Sequence, residues 1–150
     1  MEIKLKRISN SASIPLCGTK YSAGVDLSAD ISGNVLIKPN ATVKIPTGIA
    51  VSLPEETFGA IYARSGLATK NGIRPANCVG VIDSDYRGEI IVALHNDSNK
   101  SFIVEPQQRI AQMVVTPYIP ISFVETDNLD ETERGEGGFG STGAKEIKSV

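Results

Sequence analysis

Met1-Glu2-Ile3-Lys4-Leu5-Lys6 alternates with a period of two: Ile3 and Leu5 face one way, Glu2, Lys4 and Lys6 the other. Successive side chains of a strand point to opposite faces, so the stretch fits a half-buried β-strand rather than a helix. The same reading extends along the chain. Short β-branched or aromatic runs occupy residues 35–37, 42–45, 49–53, 58–63, 79–82, 90–94, 102–104, 110–116 and 121–124. Turn formers separate nearly all of them: Gly33-Asn34, Pro39-Asn40, Pro54, Asn96-Asp97-Ser98-Asn99, Pro106 and Pro117. Many short strands at near-regular spacing predict an all-β sandwich or barrel-like domain.

One short helix is expected within this pattern. Ser65 is placed to cap a turn of helix through Leu67-Ala68-Thr69-Lys70, with Gly72 as its left-handed terminator. A helix start directly after Arg64 is a natural seat for an anion. From about Glu125 the composition turns acidic and then glycine-rich. The division expected is a β-domain over residues 1–124 and a flexible arm over 125–150.

Bulk properties narrow the classes of function. At 150 residues the chain is large enough for one domain with its own core. A net charge of −2 leaves no footprint for long nucleic acid. Cys17 and Cys78 stand far apart without zinc-ligand spacing, so neither a disulfide framework nor a zinc site is expected. The N-terminal residues lack an apolar signal core and no run reaches membrane-spanning length, so a cytoplasmic location is expected, or the interior of a host cell for a phage or viral protein.

The arm carries chemistry despite its composition. Arg134-Gly135-Glu136-Gly137-Gly138-Phe139-Gly140-Ser141-Thr142-Gly143 has five glycines in its last nine positions, too many for a helix or a packed core. Its other residues are a cation, one aromatic ring and two hydroxyls. Those groups stack on a base and grip phosphate oxygens.

Four further segments accompany it: Ala23-Gly24-Val25-Asp26-Leu27; Ala63-Arg64-Ser65-Gly66-Leu67-Ala68; Gly80-Val81-Ile82-Asp83-Ser84-Asp85-Tyr86-Arg87-Gly88; and Arg109-Ile110-Ala111-Gln112. In this order the five segments resemble the motifs of the trimeric dUTPases, from about Ala23 to Gly143. Ala63 departs from the pattern, where many members carry proline before Arg-Ser. The resemblance implies a jelly-roll-like β fold (a β-clip) and a homotrimer with shared sites. It also implies Mg²⁺-dependent conversion of dUTP to dUMP and pyrophosphate, which limits uracil in DNA and supplies dUMP for thymidylate synthesis.

The roles it implies are as follows. Asp83 matches the base that takes a proton from the attacking water, and Gln112 the residue that holds that water or the α-phosphate. Tyr86 packs on deoxyribose and leaves no room for a 2′-hydroxyl, and Asn77 faces the O4 and N3–H edge of uracil. Gly80, Val81 and Ile82 complete the nucleoside site. Arg64, Ser65 and Gly66 contact phosphate, and Arg134, Phe139, Gly140, Ser141 and Thr142 close over the ligand. No residue ligates the metal directly. Mg²⁺ sits on triphosphate oxygens and water; Asp26 contributes indirectly, through metal-bound water or by orienting an arginine, and Arg109 braces the site. Asp85 is read as a turn residue and His95 as a surface residue. The rivals are a dCTP deaminase-related enzyme of the same fold and a nucleotide-gated interaction protein using the same residues.

Overall fold

The computed structural model describes residues 2–138. The chain divides into two compact units, Met1–Pro120 and Ile121–Val150. Every described strand and helix lies in the first. In chain order they are β1 (Lys4–Arg7), β2 (Val25–Ser28), β3 (Val35–Ile37), β4 (Thr42–Pro46), β5 (Ile49–Ser52), β6 (Thr57–Ala63), α1 (Ser65–Asn71), β7 (Ile73–Pro75), β8 (Gly80–Asp83), β9 (Ile91–Asn96), β10 (Phe102–Val104) and β11 (Arg109–Pro117). The strands form four antiparallel sheets, ordered β1-β5, β10-β3, β2-β11-β6-β8 and β4-β9-β7. The all-β, jelly-roll-like expectation with one short helix holds.

Period two explains how the sheets close on a core. In β9, Val92, Leu94 and Asn96 are buried while Ile91, Ala93 and His95 are at least partly exposed. Leu27, Ile37, Ile45, Ile49, Ile73, Ile90, Leu94, Val104 and Ile110 lie almost wholly out of water. Burying each such side chain contributes roughly 1.5–3 kcal/mol. The one amide in this core, Asn96, is fully bonded: its Nδ2 donates to Ile37 O (3.0 Å) and Lys100 O (2.8 Å), and its Oδ1 accepts from Ser98 N (2.9 Å) and Ser98 Oγ (2.7 Å). It pins the end of β9 and the loop after it, since each of those groups would be costly to bury unpaired.

Three local expectations need correction. Ser65 is not the helix cap. Arg64 occupies that position with an extended backbone and no side-chain cap, and Ser65 is the first helical residue. Gly72 does terminate the helix, in the left-handed conformation with φ 68°. Residues 121–124, read as a strand, form none: Ile121 is 73% exposed and Phe123 93%. An apolar run extends into a sheet only where a neighbour offers a ladder, and no described strand pairs with it. The strands missed were β2 and β7, both at sheet edges; β7 ends on Pro75, whose missing N–H is tolerated there.

The second unit is described only to Gly138. Within it, residues 132–137 turn back on themselves: Gly135 N bonds Thr132 O at 3.0 Å and Gly137 N bonds Arg134 O at 3.0 Å.

Candidate active site in two groups

Strand register assembles the first group. Gln112 on β11 lies between Asp26 on β2 and Tyr62 on β6. Asp26 Oδ1 accepts from Arg64 Nε at 2.8 Å and Oδ2 from Arg109 Nη1 at 2.9 Å, while Arg64 Nη1 also donates to Arg109 O at 3.3 Å. One carboxylate thus orders two guanidinium groups and leaves a net positive charge. Each arginine keeps unused donors for phosphate oxygens. Gln112 Nε2 donates to Ala63 O at 2.9 Å. A Cβ on Gly24 would stand 2.9 Å from Gln112 Oε1, so only glycine there leaves this amide its place.

Ser65 and Gly66 are exposed at the start of α1, where first-turn N–H groups have no intrahelical acceptor. A Cβ built on Gly66 would meet nothing within 4 Å. The fold itself therefore makes no demand for glycine at 66; its bare backbone is open to a ligand.

The second group lies along β8. A cavity of about 140 Å³ is lined by Asn77, Gly80, Val81, Ile82 and Ile91, with Pro75 and Ile61 among its other walls. Val81, Ile82 and Ile91 also line a second cavity of about 170 Å³, shared with Asp83, Tyr86 and Glu89. The two cavities share the apolar wall Val81, Ile82 and Ile91; the Asn77 amide lines one, and the Asp83 carboxylate and Tyr86 phenol line the other. Asp83 is exposed and joins none of the ion pairs among the described residues. Its carbonyl closes a turn by accepting from Tyr86 N at 3.1 Å. Tyr86 Oη donates to Glu89 O at 2.9 Å, which lays the ring across Gly88. A Cβ at Gly88 would overlap that hydroxyl and stand 2.5 Å from Cζ.

The two groups are not brought together within one chain. Asp83 pairs with Phe58 at the start of β6, whereas Arg64 follows Ala63 at its other end. Residues 58 and 64 are thus roughly 20 Å apart at ~3.3 Å per strand residue, too far for both side chains to act on one phosphorus. Arg134 belongs to the second unit, where its Nε donates to Gly137 O at 2.8 Å. Phe139, Gly140, Ser141 and Thr142 lie outside the described residues.

The remaining expectations fall as follows. Among the described residues no group of three or more His, Cys, Asp or Glu side chains is placed to hold a metal. Cys17 and Cys78 are free thiols. No helix of the described chain is long and apolar enough to cross a membrane. His95 is half-buried on β9; its Nδ1 lies 2.8 Å from Thr42 Oγ1 and its Nε2 3.4 Å from Asp97 Oδ1. Gly24 and Gly88 stand within the motifs, but their contacts with Gln112 and Tyr86, like the place of Glu89 beside Tyr86, do not show in residue type.

An antiparallel β domain with two arginines ordered by one carboxylate, and with small cavities along β8 beside an exposed aspartate, has the make-up of a nucleotide-handling enzyme. The chain belongs to the dUTPase family, whose sequence profile matches residues 10–143. It is 49% identical over 144 residues to the deoxyuridine 5'-triphosphate nucleotidohydrolase of Rickettsia typhi, covering 95% of this chain and 97% of that one. The enzyme of the same name from Desulfitobacterium hafniense is 50% identical over 144 residues, with 95% of each chain covered. Among solved structures, the dUTPase of Staphylococcus bacteriophage 80alpha with dUPNHPP superposes with a TM-score of 0.85 at 27% identity, covering 95% of this chain and 98% of that chain.

Proposed function

We propose that this protein hydrolyses dUTP to dUMP and pyrophosphate by attack of an Asp83-activated water at the α-phosphorus. The observation that carries the reading is the slot formed by two cavities along β8 that share an apolar wall, one lined by the Asn77 amide and the other by the Tyr86 phenol and the Asp83 carboxylate, which joins no ion pair among the described residues. The water oxygen bonds to the α-phosphorus as its proton passes to the Asp83 carboxylate. The bond from the α-phosphorus to the oxygen that bridges to the β-phosphorus breaks, and pyrophosphate leaves with that oxygen and its electron pair. Gln112 orients the water or the α-phosphate. Arg64, Ser65 and Gly66 receive the phosphate chain.

Specificity comes from the slot. Asn77 with neighbouring backbone groups matches the O4 and N3–H edge of uracil, and cytosine reverses that pattern and leaves buried groups unpaired. The Tyr86 ring excludes a 2′-hydroxyl. Gly88→Ala forces that ring aside, so the preference for dUTP over UTP is expected to fall at least about tenfold. Steady-state kinetics with both nucleotides measure it, and a parental ratio removes Tyr86 from this role.

Mg²⁺ fits this chain as a guest of the substrate, because the Asp26 carboxylate beside the phosphate-binding residues is already engaged by Arg64 and Arg109. Triphosphate oxygens and waters would hold it, with Asp26 touching it only through water. Bound there, it supplies charge neutralisation. Arg134, Phe139, Gly140, Ser141 and Thr142 serve as the closing arm. The cell interior, cytoplasmic or that of a phage's host, is where its substrate would be met.

A homotrimer with sites shared between subunits is part of the same proposal. Two observations support association. One chain holds Asp83 and Arg64 at opposite ends of β6. Ile119, Ile121, Phe123 and Val124 expose 83%, 73%, 93% and 85% of their surface, more apolar area in one stretch than a lone domain usually leaves in water.

Pyrophosphate release from a panel of dUTP, dCTP, dTTP, UTP and ATP tests the activity. Release from dUTP alone is expected; equal release from dCTP would overturn it. Tight dUTP binding without turnover would favour a nucleotide-gated switch, a reading raised by the phage 80alpha relative, of which a proto-oncogenic G protein-like mechanism is described.

A further inference from the structure

Arg74 and Asp97 take no part in the chemistry above, yet they bound the turn that carries Asn77. Arg74 sits on β7 opposite His95 of β9. Its guanidinium faces two ways. Toward β9, Nε donates to Asp97 Oδ2 at 2.5 Å and Nη2 to Asp97 Oδ1 at 3.0 Å, a bidentate clamp. Toward the turn, Nη1 donates to Pro75 O at 3.1 Å and Ala76 O at 3.3 Å and lies 3.6 Å from Cys78 Sγ. Asp97 is itself fixed: its N–H donates to Gly72 O at 2.9 Å, and its neighbour Asn96 is the fully bonded core amide.

The turn needs such a brace. Cys78 holds a left-handed backbone, φ 62°, which a non-glycine residue adopts only at some cost. Within the turn Cys78 N donates to Pro75 O at 3.1 Å and Val79 N to Asn77 O at 2.6 Å, and Ala76 N ties its start to Ala93 O of β9 at 2.7 Å. Global stability does not account for the pair. The Arg74 and Asp97 side chains are 35% and 45% exposed, and ion pairs that open to water contribute little to folding. The guanidinium links a rigid point at the end of β9 to the Pro75 and Ala76 carbonyls, just before Asn77.

We infer that Arg74, locked by Asp97, is a positioning residue for base recognition, holding the 75–78 turn so that the Asn77 amide stays at the wall of its cavity. This rests on the reading of Asn77 as the uracil-facing group. Lysine cannot substitute, because an ammonium lacks the planar fork that grips a carboxylate on one side and carbonyls on the other.

The test is steady-state kinetics of Arg74→Met, Arg74→Lys, Asp97→Asn and Asn77→Ala, with thermal melting of each. Arg74→Met is expected to raise KM for dUTP about tenfold and to lower the dUTP-over-dCTP preference by a similar factor, with kcat within about twofold. Arg74→Lys should fail to restore either value. The double variant Arg74→Met/Asn77→Ala should select no worse than Asn77→Ala alone, since both act through one amide. Parental KM and selectivity in folded Arg74→Met, or additive losses in the double variant, overturn the inference and leave the Asn77 reading standing. Parental selectivity in Asn77→Ala overturns that reading and this inference with it. Should Arg74→Met not fold, Asp97→Asn decides the matter by the same two ratios.

Discussion

Asp83→Asn protein is expected to hydrolyse dUTP at least about 100-fold more slowly than the parent, the size of contribution a positioned general base makes. It should bind a non-hydrolysable dUTP analogue as tightly as before. The argument is one of shape against chemistry. Asparagine keeps the volume and the planar end of aspartate but cannot take up the proton of the attacking water. Asp83 is exposed at the end of β8, and no ion pair among the described residues depends on it, so the exchange leaves the fold no debt. The loss therefore belongs to kcat and not to KM. Single-turnover rates beside equilibrium binding of the analogue measure the two separately. A rate within a few-fold of the parent would move the base elsewhere, and Glu89, which lines the same cavity, would be the next residue to try.

Much of this architecture can be read locally. Residues 35–37 and 102–104 were expected as strands and are β3 and β10 to the residue, because an apolar run bounded by turn formers specifies a strand without distant help. β2 was hidden by Asp26, a charged residue inside a four-residue strand, and its reason lies across the sheet in two arginines. Residues 121–124 misled in the opposite direction. They carry the composition of a strand but lack a partner among the described residues, and hydrogen-bonding partners are not written into composition.

The site divides in the same way. Its residue types stand in short motifs, so the family resemblance names Arg64, Asp83 and Gln112 as candidates one by one. What it does not reach is spacing through the sheet. The β6–β8 register, which sets Asp83 opposite Phe58, is a product of folding as a whole. So are the approach of Gly24 to Gln112 and of Gly88 to Tyr86. The Arg74–Asp97 clamp joins β7 to the residue after β9 and leaves no local pattern in the chain.

That register makes a prediction about mixtures of inactive chains. Asp83→Asn disables the group on β8, and Arg64→Ala disables the phosphate seat at the start of α1; each homogeneous protein is expected to be almost inactive. If a site takes β8 from one subunit and Arg64 from another, a mixed oligomer contains some sites built from the intact half of each. With equal amounts and random assembly, half of the chains carry an intact β8 and half an intact Arg64. About a quarter of sites are then whole, and activity should return to about a quarter of the parental value. The increase is large against a background reduced at least about 100-fold. Chains with different tags, denatured and refolded together, show by pull-down that mixing occurred, and light scattering gives the size of the assembly. If one chain supplied both groups, no mixture could contain an intact site, and the rate would stay at background however well the chains exchanged. The roughly 20 Å that β6 places between the two groups favours the first outcome.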